Sequence, residues 1–448
     1  MNGFSFPPHR LPGLEPLLVG DLWSRWVADG RAFALDDLRS AVGYLRLKPN
    51  DSCRMTVLRP EPSTGAETES ASETPLGFYL QLYSTPERAR EVFEKEKTRR
   101  HTLFEDGFTP FLCEESATVA LPFPNDPDLP TLRHIYEPDR FRRDLAEILP
   151  AYPADQWRVK RRRLGHRVLA YKPGRRCVLG TKLELRRRDG TEKLALRLHL
   201  QVENPQRARE SFSKAQRIGA ALASTSARTP HPYGIVRGRG WTATEWIEGV
   251  DLAHLPVPQR NDPSLWREIG RTVARLHRSH IELPHRPSPI ERAADTSQLA
   301  ADLTAMMPDA AAELADLERL LVLLGSSWAT ESSAIAHGDL HLGQVMVHEG
   351  EPVLCDFDRA GRGYAVEDLG NFLASTLGHD VPQVCRSAFV DGYAELRPLP
   401  RSSLIHGATA IALFHLAPAP FRRLDPEWPE RTRRILDLCR RSAEEALR

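Results

Sequence analysis

Cysteine is scarce in this chain: six residues in 448, at positions 53, 113, 177, 355, 385 and 439, with no Cys-x-x-Cys among them. That scatter excludes a disulfide framework or a zinc ribbon, suits a reducing compartment, and leaves the thiols as small buried hydrophobes. Long apolar runs are missing too. The nearest, residues 408–421, is interrupted by His415, Pro418 and Pro420 and reads as a core helix, so no membrane partner is expected. The opening MNGFSFPPHR lacks the charged start and apolar stretch of a secretory signal, and a cytoplasmic protein is expected. Net charge is only +1, with 41% hydrophobic and 27% charged residues, as in an ordinary globular protein with room for two or three domains.

The charge is unevenly spread. Residues 157–240 hold 22 Lys plus Arg against 5 Asp plus Glu, a local excess of +17, concentrated in Arg158-Val159-Lys160-Arg161-Arg162-Arg163 and Arg186-Arg187-Arg188. So basic a region attracts polyphosphate or a nucleic acid backbone. No aromatics interleave with it at base-stacking spacing, which argues against nucleic acid as the partner.

The most informative stretch is 336–358, AHGDLHLGQVMVHEGEPVLCDFD. His337, Gly338 and Asp339 read as a loop, Val345, Met346 and Val347 as a short strand, and His348 to Glu351 as a polar turn around Gly350. Val353, Leu354 and Cys355 then return as a second strand that delivers Asp356 beside the first loop. Such a hairpin gathers Asp339, Gln344 and Asp356. Phosphoryl transfer needs a base for the acceptor hydroxyl and oxygen ligands for magnesium, so Asp339 is assigned as base, with Gln344 and Asp356 as metal ligands. Two other readings compete: His337 and His341 as hydrogen-bonded core histidines, or His337, Asp339 and His341 as ligands of a metallohydrolase. The latter lacks a further cluster with ligand spacing.

Residues 337–371 resemble the aminoglycoside phosphotransferase and choline kinase family, whose loop reads H-G-D-x-x-x-x-N before a D-x-[DG]-like strand end; Glu367-Asp368-Leu369-Gly370 also fits. The family's metal-binding Asn is Gln344 here, and HGDLHLGQ looks most like the loop of bacterial maltokinases. The resemblance implies an α+β, two-lobed protein-kinase-like fold, ATP and Mg²⁺ as cofactors, and a small-molecule hydroxyl as phosphoryl acceptor. A sugar-like alcohol comes first, an amino alcohol or aminoglycoside second. It makes His337 and Asp368 structural supports of the loop.

The amino-terminal half contains a duplication. Lys48-Pro49 through Cys53 recurs as Lys172-Pro173 through Cys177, and Pro86-Glu87-Arg88-Ala89-Arg90-Glu91 recurs as Pro205-Gln206-Arg207-Ala208-Arg209-Glu210. Each copy reads as strand, Lys-Pro turn, strand, loop, strand and helix. In the second copy these are 167–171, 172–176, 177–187, 193–202 and a helix over 205–222. The Ser, Thr, Glu and Pro-rich insertion 61–75 in the first copy is expected to be disordered.

By resemblance the second copy is the nucleotide-binding small lobe. Its phosphate-covering turn contains Lys172, Arg175 and Arg176, its strand cation is Arg197, its helix acid is Glu210, and its adenine-binding hinge is Glu245, Trp246 and Ile247. The first copy carries Gln81 where the second is read as having Arg197, and no His-Gly-Asp loop follows it. Residues 1–150 are therefore expected to be a degenerate amino-terminal cap, 151–249 the small lobe and 250–448 a mostly helical catalytic lobe. Residues 266–277 read as an amphipathic helix in which His277 packs, and the acidic stretch 295–318 as helical. The rival to an active kinase is a pseudokinase, disabled at Arg197 and Gln344 and acting as a nucleotide-binding scaffold.

Overall fold

The structure, a computed structural model, describes residues 4–59, 77–95, 108–160, 164–287, 291, 293–330 and 333–448. The insertion 61–75 and the basic residues Arg161 to Arg163 lie outside the described residues. The chain clusters into two compact units, Met1–Arg209 with Tyr233–Trp246 and Arg422–Pro426, and Glu210–Pro232 with Ile247–Phe421 and Glu427–Arg448.

The first unit holds two antiparallel sheets of matching design. Strands β1 (Val42–Lys48), β2 (Ser52–Leu58), β3 (Gly77–Tyr83), β4 (Phe111–Cys113) and β5 (Thr118–Pro122) lie in the order β1-β2-β3-β5-β4, and the helix Pro86–Phe93 follows β3. The second sheet is built from β6 (Trp157–Val159), β7 (Gly165–Lys172), β8 (Arg176–Arg187), β9 (Lys193–Glu203), β10 (Pro232–Val236) and β11 (Trp241–Glu245). Its order is β10-β11-β9-β8-β6 with β7 also on β8, and the helix Pro205–Leu222 follows β9. Thus β7, β8, β9, β11 and β10 repeat the path of the first sheet, as the sequence repeat implies.

The ladders also correct the equivalence of the two copies. Cys53 pairs with Leu82 and Cys177 with Val202; one position along, Arg54 pairs with Gln81 and Val178 with Gln201. Gln81 is therefore matched by Gln201, not by Arg197, which sits opposite Lys182 further down the ladder. The side chains agree: Gln81 accepts from Tyr83 Oη at 2.8 Å, and Gln201 donates to Glu203 at 3.1 Å, each pairing with the residue two further along its strand. A slip of four residues keeps a strand side chain on the same face, so alternation alone does not separate Arg197 from Gln201, and the ladder does.

Alternation along β9 puts Leu198, Leu200 and Val202 in the core and Arg197, His199, Gln201 and Glu203 on the opposite face. One continuous core joins both sheets, from Tyr79, Leu121 and Phe123 through Phe141 and Tyr171 to Leu200 and Trp241. The expected cap and small lobe thus share an interior. The helix Pro138–Ile148 belongs to it, and Gly234 of β10 lies so close that a Cβ there would meet Ile148 O at 2.3 Å.

The second unit contains β12 (Val250–Asp251), β13 (Ser333–Ala336), β14 (Val345–His348), β15 (Glu351–Leu354) and β16 (Gly361–Tyr364), paired as β12-β14-β15 and β13-β16. Its helices supply most of the core. Pro263–Arg278 starts where Asp262 accepts from Ser264 N at 2.9 Å and buries Ile269, Val273, Ala274 and Leu276, the face expected from their spacing. The acidic segment is two helices, Ala293–Met306 and Ala311–Ser326, because Pro308 interrupts it. Residues Ser402–Arg422 have the length and hydropathy of a membrane span, yet 67% of that window is buried inside the structure, as expected of a core helix.

Helices Pro263–Arg278 and Gln383–Ala394 approach so closely that two glycines are required. A Cβ on Gly270 would lie 2.1 Å from Phe389 O, and one on Gly392 2.0 Å from Arg267 O. Gly392→Ala should lower stability by about 1–3 kcal/mol through overpacking. Gly378→Ala, at a position with open space around it, should leave the thermal midpoint within a degree or two or raise it. Equal midpoints for the two variants would show that the close contact does not constrain the fold.

Candidate active site

The stretch 337–360 folds as the hydrophobic pattern dictates. Strand β14 pairs with β15 through Val345↔Leu354 to His348↔Glu351, and the two turn residues Glu349 and Gly350 have φ of 52° and 86°. Two positive φ values in succession are what a two-residue hairpin turn requires, and Gly350 takes the second without penalty. Cys355 N donates to Gln344 O at 2.9 Å, which extends the hairpin by one bond and sets Gln344 beside Asp356. The Gln344 amide nitrogen lies 3.3 Å from Asp356 Oδ2 and 3.3 Å from His341 Nε2. Asp356 itself has φ of 60°, a left-handed conformation uncommon outside glycine, asparagine and aspartate and concentrated at functional sites.

The preceding loop hangs from a single carboxylate. Asp368, fully buried at the start of the helix Ala365–Gly378, accepts from His337 N at 2.5 Å, Gly338 N at 2.7 Å and His277 Nε2 at 3.0 Å. His277 Nδ1 in turn lies 2.9 Å from Tyr393 Oη, which fixes the ring with its Nε2 proton toward Asp368. Burial alone raises the Asp368 pKa, but the His277 hydrogen bond and charge, with His337 and Arg286, outweigh it and hold the carboxyl below the usual range. His337 Nε2 donates to Cys355 O at 2.8 Å, stapling the two loops that carry Asp339 and Asp356.

Arg286 is a functional support that sequence reasoning missed. Its guanidinium donates to Arg359 O at 2.8 Å and to Glu367 Oε1 at 2.6 Å, and both side chains of this ion pair are nearly buried. It also explains the glycine of His-Gly-Asp: Gly338 has φ of 82°, and a Cβ there would fall 1.1 Å from Arg286 Nη1. No local pattern marks Arg286; it stands far upstream on a connector. Arg359 and Lys214 were missed as well. Arg359 Nη1 reaches Asp339 Oδ1 at 3.3 Å in an exposed pair, and Lys214 Nζ donates to Asp358 O at 2.9 Å.

The residues assigned to the nucleotide lie on four segments. Lys172, Arg175 and Arg176 flank the β7–β8 turn, where Gly174 has φ of 69°. The Gly174 N–H goes to Asp126 Oδ2 at 2.7 Å, and Tyr171 Oη donates to the same oxygen at 2.9 Å. Asp126 belongs to the amino-terminal part of the unit, is 4% exposed, and has its pKa pushed up by burial against these hydrogen bonds. The turn's central amide is thus already engaged. Arg197 is exposed on the polar face of β9, opposite Lys182. Glu210 is exposed on the helix Pro205–Leu222. Glu245 ends β11, the Trp246 ring covers Gly180 at 2.9 Å from a Cβ placed there, and Ile247 is buried.

Among the described residues no group of three or more His, Cys, Asp and Glu side chains is arranged to hold a metal, so the metallohydrolase reading gains no support. The Gln344 amide and the Asp356 carboxylate instead adjoin, the amide nitrogen donating to Asp356 Oδ2, and each side chain carries an oxygen of the hard type that magnesium takes. A cavity of about 960 Å³, lined in part by Arg278, His280, Arg362 and Arg397, includes none of Asp339, Gln344 and Asp356.

Residues 184–403 match the model of the phosphotransferase enzyme family. Solved structures similar to the chain include a choline kinase from Cryptosporidium parvum, 11% identical over 69% of this chain and 96% of that one, with a TM-score of 0.47. LicA in complex with AMP is 12% identical over 68% and 99% at a TM-score of 0.46; LicA is described as a choline kinase from Streptococcus pneumoniae. A thermostable mutant of aminoglycoside phosphotransferase APH(4)-Ia, in a ternary complex with ADP and hygromycin B, is 12% identical over 68% and 98%, at 0.46. No curated protein matches the chain.

Asp368→Asn replaces an acceptor of three hydrogen bonds by a group that must turn an N–H toward one of the donors. A loss of about 3 kcal/mol is expected in urea unfolding at neutral pH. Because the folded pKa is depressed, the carboxylate's contribution is fully present above the unfolded value near about 4 and disappears as pH falls through the folded pKa. The stability gap between wild type and variant should therefore close only in acid. A gap unchanged down to about pH 2 would contradict the ionised state assigned to Asp368.

Proposed function

We propose, from the phosphotransferase-family match over residues 184–403 and the loop geometry it contains, that this chain moves the γ-phosphoryl group of ATP to a hydroxyl of a small molecule. The observation that carries the reading is the seating of Gln344 against Asp356 on a hairpin stapled by His337 to the Asp339 loop. Asp339 is half-exposed at the loop's edge, open to an incoming hydroxyl, and serves as the base that orients the hydroxyl and takes its proton. Gln344 and Asp356 would hold magnesium, which would supply positive charge against the phosphate oxygens.

Other residues supply charge and order. Lys172, Arg175, Arg176 and Arg197 attract the polyphosphate electrostatically, with Arg in place of the family's strand Lys presenting a broader, more weakly hydrated cation. The backbone at Glu245, Trp246 and Ile247 receives the adenine, and Glu210 is the helix acid of the family pattern. Asp368, His277 and Arg286 touch no substrate; they fix the path of the loop so that Asp339 is presented in one orientation. A sugar-like alcohol is the first acceptor to test, followed by amino alcohols and aminoglycosides.

The test is ATP consumption with magnesium across a panel of those three acceptor classes. Asp339→Ala should lower kcat by about 10²–10⁴-fold on whichever acceptor is used while ADP binding stays intact. Asp356→Ala should abolish the magnesium dependence of nucleotide binding. Turnover by Asp339→Ala at the wild-type rate would overturn the assignment of the base; absence of magnesium-dependent ATP turnover with every acceptor would overturn the reading as a whole.

A further inference from the structure

The reaction as proposed uses Asp339, Gln344 and Asp356 but gives no part to His341, although its ring touches Gln344. Both ring nitrogens of His341 are engaged. Nδ1 accepts from Gly343 N at 3.1 Å, capping the short turn Leu342–Gln344, and Nε2 lies 3.3 Å from the terminal amide of Gln344. A neutral imidazole carries one proton, and a nitrogen that accepts cannot also be the protonated one. With Nδ1 accepting, the proton is on Nε2, and it needs an acceptor. Of the two terminal atoms of Gln344, only the oxygen can accept.

As the amide stands, that end is its nitrogen, which also donates to Asp356 Oδ2 at 3.3 Å; the His341 proton requires the amide to be reversed. Turned so that Oε1 meets His341, Gln344 sets a carbonyl oxygen beside a carboxylate oxygen with no proton between them. Two adjacent oxygens repel unless a hard cation sits against both. We propose that His341 is a positioning residue: its Nε2–H fixes the Gln344 amide with the oxygen toward Asp356 and so makes Gln344 an oxygen donor to a divalent cation.

The inference rests on the phosphotransferase reading and explains how glutamine serves where the family's loop has asparagine. The additional methylene adds a rotatable bond whose freedom works against coordination. A hydrogen bond from a neighbour three residues away removes that freedom. Groups that orient a metal ligand in this way typically change metal affinity by about 10–100-fold when lost.

The experiment measures Mn²⁺ affinity by electron paramagnetic resonance on the full chain with saturating ADP. ADP affinity without metal and the thermal midpoint are recorded alongside. His341→Asn can still accept from Gly343 but has no donor where Nε2 stood, and it should bind Mn²⁺ about tenfold or more weakly with metal-free ADP affinity unchanged. His341→Gln carries its amide nitrogen out to the Nε2 position and should recover most of the loss.

In a Gln344→Glu background both terminal atoms are oxygens and orientation no longer matters, so His341→Asn should have little further effect there. Wild-type Mn²⁺ affinity in His341→Asn, or an equal loss in the Gln344→Glu background, overturns the role of His341 and leaves the phosphotransferase reading standing. A wild-type chain that binds no Mn²⁺ in the presence of ADP overturns both.

Discussion

The geometry of the site depends on one buried ionised carboxylate. Asp368 is surrounded by protein on all sides, and a charge in that position costs several kcal/mol unless donors surround it. It finds them in the two consecutive amides of His337 and Gly338 and in the ring of His277. The pairing works in both directions: the amides keep the acid ionised, and the acid pins the backbone immediately before Asp339. Tyr393, on a different helix, sets the proton position of His277 and so belongs to the same chain of hydrogen bonds.

Gly338 shows how tightly this arrangement is drawn. Its left-handed φ lets two successive amides point at Asp368, and its missing side chain leaves room for the Arg286 guanidinium. Arg286 ties Glu367, the neighbour of Asp368, to the carbonyl of Arg359, which lies just past Asp356. One cation thus joins the helix start, the Asp339 loop and the segment after Asp356. The hairpin between them contributes a fixed turn and register, and Asp356 ends it in a strained conformation that the surrounding bonds hold in place.

In the first unit the duplicated module has been put to two uses. Both sheets follow the same path, and the second presents Lys182 and Arg197 opposite one another on its polar face. The first contributes core and a brace: Asp126 takes the amide of Gly174 and the hydroxyl of Tyr171, holding the Lys-Pro turn of the second copy. The shared core, running without a break from Tyr79 to Trp241, makes the amino-terminal copy part of the scaffold of that turn.

Much of this was readable from the chain alone. Apolar alternation and the Gly350 turn determine the hairpin, the repeated Lys-Pro and Cys anchors disclose the two copies, and the spacing of Ile269, Val273, Ala274 and Leu276 marks a buried helix face. These are local signals, written in periods of two and 3.6 residues. The equivalence of Gln201 with Gln81 and the partners Arg286, Asp126 and Tyr393 were decided by the fold. Each is a contact between residues far apart in sequence, and a lone arginine or aspartate carries no periodic mark of the backbone group it will meet. Sequence determined which residues can do the chemistry; only the tertiary structure determined which buried charges hold them in place, because that depends on desolvation and on donors brought from other elements.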